Sequence, residues 1–523
     1  MNILISQLIG RARNLKRQGR FSSVFRIYRL LRDFYEHVKS ACQFPIYFLL
    51  VAIRFPWFYP YFWMGRRLRS KLGQLIESDS FQKNVADDLY HRAIGCLEKA
   101  SQLNPDFVEA AQSIGQAALV TGRIDEWIKA QYRAIRYQEK RAQNSGAASQ
   151  NIRIIEGAGI FSTIGATLPL DAWIKSGLLG FRPPCSSLVL VEPALKAGTA
   201  NQCLLDYWRS YFEFVEDSDK LTQLRPLARD LSARLDYIPC GDRTVPYAIS
   251  ASVWIQAEWE KQGRQPLLQL KDEHKQRGWE MLARMGIPKD AWFVTTHVRE
   301  SGFKGKESFR DSDIVTYLKS FRQVTERGGW VIRLGDASMD PLPAMPQVID
   351  YALSSVKSDW MDVFLLAAAR FMIGTSSGPA SVSYAFGVPV AMTNYLPAAA
   401  VYFTRQDLFL PRLMRRIDDR SFLNLEALMT LPYSMGACDG MYKNIFRVEA
   451  IPNTSEEISG LVTEMLDKLD GTLRYTEKDE SLQKRFKSLT AEREVIIGLP
   501  GFEIQCRLGR DFLRHHQHLL AVS

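Results

Sequence analysis

Residues 294–303 run Val-Thr-Thr-His-Val-Arg-Glu-Ser-Gly-Phe, an apolar strand that breaks into a cationic, glycine-containing loop. Ligands of parallel sheets gather beyond the carboxyl ends of the strands. Arg299 therefore stands where a bidentate guanidinium can hold a diphosphate, with Lys304, Lys306 and Arg310 adding charge behind it. Residues 370–379, Arg-Phe-Met-Ile-Gly-Thr-Ser-Ser-Gly-Pro, repeat the logic as strand, small polar loop and helix start. Gly378 permits close backbone approach, Pro379 suits the first turn, and Ser376 and Ser377 offer hydroxyls beside a helix N-terminus that favours anions. Asp336 and Asp350 each close a strand, where an acidic side chain reaches a ribose or base. Solvated loop, surface ion pair and plain helix cap are the alternatives for these residues.

Weaker constellations accompany them. Residues 156–162, Glu-Gly-Ala-Gly-Ile-Phe-Ser, follow a strand and lack only the third glycine of a dinucleotide fingerprint. No acidic residue stands in 175–184 to take a ribose, which weighs against an NAD enzyme. Asp171 is the acidic residue nearest that loop and the candidate general base, with a helix cap as its alternative. Asp217/Asp219 and Asp311/Asp313 have the spacing of a metal-binding acidic pair, but such pairs also arise as helix caps, and no metal is expected.

These loops need sheets to hold them. Short apolar runs at 151–155, 187–191 and 212–215, then at 293–297, 330–334, 348–351, 371–374 and 388–392, alternate with helical periodicity. Two such series predict an α/β chain with two Rossmann-type domains, at 146–275 and 276–480, hinged near 254–282. A C-terminal helical segment is expected at 481–523. Ahead of them, residues 74–145 carry Ala93, Leu97, Ala100 and Pro105 at the offsets of a tetratricopeptide repeat, and a poorer copy with Ala111, Gly115, Ala118, Gly122 and Trp127. A plain helical spacer is the alternative there.

The run Ser376-Ser377-Gly378-Pro379 with Ala385-Phe386-Gly387-Val388-Pro389-Val390 resembles the sugar-nucleotide loop of lipopolysaccharide heptosyltransferases. His297-Val298-Arg299 resembles the phosphate-binding arginine motif of GT-B fucosyltransferases. The second half as a whole, with residues 328–336, 349–351 and 374–378, is similar to a bacterial glycosyltransferase family found with surface-polysaccharide genes. That likeness reaches back to Ile164-Gly165 and Asp171 and spans about residues 151–450. It implies a GT-B fold with a nucleotide-sugar donor held by the C-terminal domain, where the residues read above offer His297, Arg299, Gly302, Asp336, Asp350, Thr375, Ser376, Ser377 and Gly378 as its contacts. On the same reading of the residues Arg299 and Asp171 are the candidate catalytic pair, acting on a glycan or lipid-linked acceptor. Ser377 and Ser381 depart from the heptosyltransferase pattern, which speaks against heptose. A non-catalytic scaffold that binds a nucleotide or glycan is the rival reading.

Charge is confined to one end. The chain carries +10, yet residues 1–73 hold fourteen Lys/Arg against Asp33 and Glu36, so the remainder is slightly acidic. A nucleic-acid enzyme would spread its basicity further. Within residues 21–40 apolar side chains recur at helical spacing among arginines, and residues 44–53 are apolar. Ten residues cannot cross a ~30 Å hydrocarbon core. The aromatic, proline-broken run at 55–63 suits a headgroup layer, so residues 1–73 are expected to lie on an anionic membrane surface, at the inner face; a helical hairpin buried against the rest of the protein is the alternative. Seven scattered cysteines without a zinc spacing fit a reduced cytoplasm.

Overall fold

The computed structural model describes residues 58–520 apart from 106, 147–148, 150, 157–162, 192–198, 229, 234, 236, 301–307, 397–403, 492–498 and 500. The basic segment before Phe58, the near-fingerprint at 157–162, and Gly302, Lys304 and Lys306 lie outside the described residues.

Four helices open the described chain: α1 (Tyr59–Ile76), α2 (Lys83–Leu103), α3 (Val108–Val120) and α4 (Ile124–Asn144). Each packs on the next through the alanine-rich stripe that the sequence shows, with Ala93, Leu97, Ala100, Ala111 and Ala118 buried. Small side chains let helix axes approach closely, and Gly122 takes the positive φ of 73° that the turn requires. One expectation needs correction. Of the aromatic run, Phe62 is only 6% exposed, and the rings of Phe58 and Phe62 pack on Phe107 at 4.7 and 4.6 Å. This part of the run faces inward because Phe107, at the head of α3, offers an apolar partner that periodicity within 55–63 does not reveal.

The first sheet is parallel in the order β1 (Ile152–Glu156), β2 (Ser186–Leu190), β3 (Glu213–Val215). The second has seven parallel strands in the order β12-β9-β8-β7-β4-β5-β6. Its centre is β4 (Phe293–His297) beside β7 (Met372–Gly374). From there the chain winds one way through β5 (Trp330–Arg333) and β6 (Val348–Ile349), and the other through β8 (Val390–Tyr395), β9 (Leu408–Pro411) and β12 (Arg507–Leu508). Strands covered on both faces need continuous apolar runs, and Val294, Ile332, Met372 and Ile373 are fully buried. The C-terminal segment thus contributes an edge strand as well as helices. Between the sheets, the expected hinge region is built of two helices. Ala248–Lys261 packs on the helix Thr167–Leu178 of the first sheet, and Asp272–Arg284 packs on Asp359–Ala368 of the second.

Residues 431–446 leave the second sheet and seat on the helical module. Met435 and Met441 are buried in one cluster with Leu72, Ile76, Tyr90 and Trp127. Gly440 makes this possible: a Cβ there would lie 2.0 Å from the Ile76 carbonyl oxygen. Its backbone is ordinary helical, so the demand is purely steric. Gly440→Ala is expected to cost about 1–3 kcal/mol in urea denaturation. Unchanged stability would show that the segment does not dock on α1.

Candidate functional site

β4 and β7 diverge at the one place where strand order reverses, so the crevice beyond their carboxyl ends is the topological switch point of the large sheet. Both motifs picked from the sequence end there. His297 pairs in register with Gly374, and the Thr375 amide donates to the His297 carbonyl at 3.3 Å. Arg299 N–H donates to Thr375 Oγ1 at 3.2 Å, and His297 Nδ1 lies 3.0 Å from Ser377 Oγ. Burial lowers the His297 imidazole to about 4, so the ring is neutral at physiological pH.

Ser377 occupies the N-cap of the helix Gly378–Ala385, but its hydroxyl turns to His297 and caps nothing. The first-turn N–H groups therefore have no side-chain cap from it, at the positive end of the helix dipole. Gly378 also touches the other domain. A Cβ there would meet the Gly165 nitrogen at 3.1 Å, so the two segments that carry the family resemblance, Ile164-Gly165 and Ser376–Gly378, are in contact across the cleft.

The Arg299 guanidinium is held in place. Its Nε donates to Asp311 Oδ1 at 2.8 Å, while Asp311 Oδ2 accepts from Ser308 N at 2.7 Å. Buried Arg412 fastens the same turn from behind, donating to the Asp311 carbonyl and to Ser312 Oγ. Asp311 and Arg412 were not legible as site residues. Asp311 looked like half of an acidic pair with Asp313, whose carboxylate instead caps the turn at Ile314, accepting from Val315 N at 2.8 Å. Asp217 likewise caps the helix Ser218–Leu224.

Other candidates are placed differently. Asp350 is engaged by fully buried Arg333, 3.2 Å away, and by the Leu342 amide; Glu300 accepts from the same guanidinium. Asp336 closes a local turn, accepting from Ser338 N and Oγ. Asp171 does not line the open cleft. It is 2% exposed, with Oδ2 2.6 Å from the equally buried Lys175, whose ammonium also donates to Gln256 Oε1 at 2.8 Å. Burial pushes the Asp171 carboxyl upward against the pull of that ammonium. A helical i,i+4 carboxylate–lysine spacing reads as a surface pair, and only the packing of Trp259 and Tyr384 over the lysine puts it in the core.

Beside the Ser376–Gly378 loop opens a cavity of about 580 Å³. Distant parts of the chain meet in its wall, among them Thr163 and Gly165 of the first α/β domain, Leu119 of α3, Tyr247, the turn at 308–310, and residues 435–439. A space of this size accepts a ligand as large as a nucleotide. Among the described residues, no group of three His, Cys, Asp or Glu side chains could hold a metal ion, and no helix is long and apolar enough to cross a membrane.

No protein-family model matches the chain, and no curated protein matches it. Similar solved structures include the following. A glycosyl transferase family 9 protein from Veillonella parvula is 11% identical, covering 50% of this chain and 87% of that one at a TM-score of 0.35. The iron-containing dodecameric glycosyltransferase TibC from enterotoxigenic E. coli is 14% identical, over 62% and 77%, at 0.30. The dodecameric iron-containing heptosyltransferase TibC in complex with ADP-D-beta-D-heptose is 14% identical, over 61% and 77%, at 0.32. At similarities this distant, the activity has to be read from the site of this chain itself.

Proposed function

We propose that the chain is a glycosyltransferase of the GT-B kind, moving a sugar from a nucleotide-sugar donor to a hydroxyl of a glycan or lipid-linked acceptor. The observation that carries this reading is the meeting of His297, Arg299 and Ser377 at the switch point, under a second domain that touches Gly378. The diphosphate would lie across the start of the helix Gly378–Ala385, taking N–H groups there and the Arg299 fork. A neutral His297 adds a hydrogen bond without a charge that titrates near pH 7. Negative charge grows on the diphosphate as the sugar departs, so these donors act on the rate and not on binding alone. Asp336, whose charge acts on His297, is the acidic group proposed to meet the donor's ribose or base. No metal is needed in this scheme: Asp217 and Asp313 serve as caps and Asp311 belongs to Arg299. The basic segment at 1–73 supports the further proposal of attachment to an anionic inner membrane surface, where a lipid-linked acceptor would be found.

The test is incubation of the full-length protein with a panel of nucleotide sugars, with and without EDTA, while released nucleoside diphosphate is measured. One donor is expected to be consumed, equally with chelator. The same donor at ~100 times its dissociation constant should stabilise the protein by about 2.7 kcal/mol. Binding without release would establish the rival reading, a scaffold that only holds the nucleotide. Loss of turnover in EDTA with recovery in manganese or magnesium would overturn the metal-free scheme.

A further inference from the structure

Transfer of this kind needs a group to take the acceptor's proton, and Asp171 is spent in its buried ion pair. Among the described residues that line the cavity there is a single carboxylate, Asp439. The fold fixes it from two sides. Towards the helical module, Gly440 lies against the end of α1, Asn444 Nδ2 donates to the Ile76 carbonyl at 2.8 Å, and Lys443 pairs with Asp79 at 2.9 Å. Towards the donor domain, Asp439 Oδ1 accepts from the Phe309 N–H, in the turn that also carries Asp311, the partner of Arg299. The carboxylate is thus tied to the Arg299 turn by one oxygen, within the same cavity as Ser376, Ser377 and Gly378.

We infer that Asp439 is the general base of the transfer, presented to the acceptor by the 431–446 segment that the helical module clamps. This rests on the glycosyltransferase reading. The acceptor O–H proton passes to a carboxylate oxygen of Asp439, and the acceptor oxygen forms its bond to the anomeric carbon. The bond from that carbon to the diphosphate breaks, and its electron pair leaves with the nucleoside diphosphate. The helical module then has a role in the reaction, since its packing decides where the base stands.

The surroundings suit a base. Burial raises the Asp439 carboxyl above the ordinary range, the Phe309 N–H opposes this, and the nearby Glu77 and Asp311 carboxylates raise it further. Among the described residues around it, the thiol, phenol and guanidinium groups offer no ready proton acceptor. The Cys438 thiol is pushed up to about 12 by burial and by Glu77, the Tyr442 phenol is raised by burial, and Arg412 is a buried cation. Arg310 lines the same cavity.

Asp439→Asn in the full-length protein tests this, because asparagine keeps an oxygen for the Phe309 N–H. With the donor found in the panel, kcat is expected to fall roughly 10²-fold or more, while affinity for free nucleoside diphosphate is retained. Wild-type kcat should rise with pH along an acid limb that lies above the ordinary carboxylate range, and the limb should vanish in Asp439→Asn. Asp439→Glu should restore part of the rate. Wild-type kcat in Asp439→Asn, or an unchanged acid limb, overturns the assignment. So does a parallel loss of nucleotide binding, which marks a residue that only holds the turn. Should the wild-type protein transfer from no nucleotide sugar, the transfer reading fails and this inference falls with it, a failure visible before any variant is made.

Discussion

Lys175→Met should destabilise the protein by about 3–5 kcal/mol, because it leaves a carboxylate stranded in a dry core. Lys175 and Asp171 are each 2% exposed and 2.6 Å apart, at the junction of the helices Thr167–Leu178 and Ala248–Lys261, beneath Tyr384 of the phosphate-loop helix. Asp171 Oδ1 has no hydrogen-bond partner among the described residues, so the ammonium carries most of its compensation. The sign of the pH dependence follows. Burial already raises the Asp171 carboxyl, and removing the lysine removes the opposing pull, so the variant's Asp171 takes up a proton as pH falls. The loss should be largest at neutral to alkaline pH and shrink on acidification. Asp171→Asn combined with Lys175→Met should recover much of the stability, since both charges are gone. Urea denaturation at pH 5 and pH 8 checks each point, and a loss below about 1 kcal/mol at pH 8, the size of a surface pair, would place the pair in solvent.

Arg299→Ala should lower kcat by about 10²-fold or more, the usual consequence of removing one donor aimed at developing negative charge. The structure sharpens the expectation. Asp311 holds the guanidinium through its Nε, so the charge is positioned before any ligand arrives. Deleting the arginine also leaves the Asp311 carboxylate facing the donor site, adding repulsion to the lost hydrogen bonds. Arg299→Lys should rescue only in part, as a point charge cannot serve both Asp311 and a diphosphate with planar geometry. The Thr375 contact is made by the backbone N–H of Arg299 and should survive both changes, so the fold is expected to hold. Steady-state kinetics beside thermal denaturation separates the two effects. Wild-type kcat in Arg299→Ala would remove this residue from the site.

Much of the architecture was legible because its causes are local. The strand at 293–297 was read to the residue, and the strand–loop–helix at 371–379 could be read because apolar runs, glycine and proline impose backbone geometry wherever they stand. The strands β9 and β12 and the antiparallel pair Leu413–Arg416 with Val448–Ile451 escaped, being short runs of mixed character that pair only because a sheet edge or a hairpin partner is already there. The helical stripe in α2 and α3 was visible through its alanines, whereas the inward turn of Phe62 depended on Phe107.

For the site, the sequence alone determined which residues end strands and have the chemistry to meet a phosphate: His297, Arg299 and the Thr375–Gly378 loop. Only the tertiary structure decided that β4 and β7 are neighbours at the reversal of strand order, which is what brings His297 within 3.0 Å of Ser377. It also moved Asp171 from candidate general base to half of a buried pair, and set Asp439 in the cavity. The physical reason is the same in each case. Periodicity and turn chemistry act over a few residues and record how the chain bends, but the basicity of a carboxylate is set by how far water and other charges are from it in space. For Asp439 burial comes first, and Asp311 of its own domain and Glu77 of the helical module, both far away along the chain, meet it only in the folded structure.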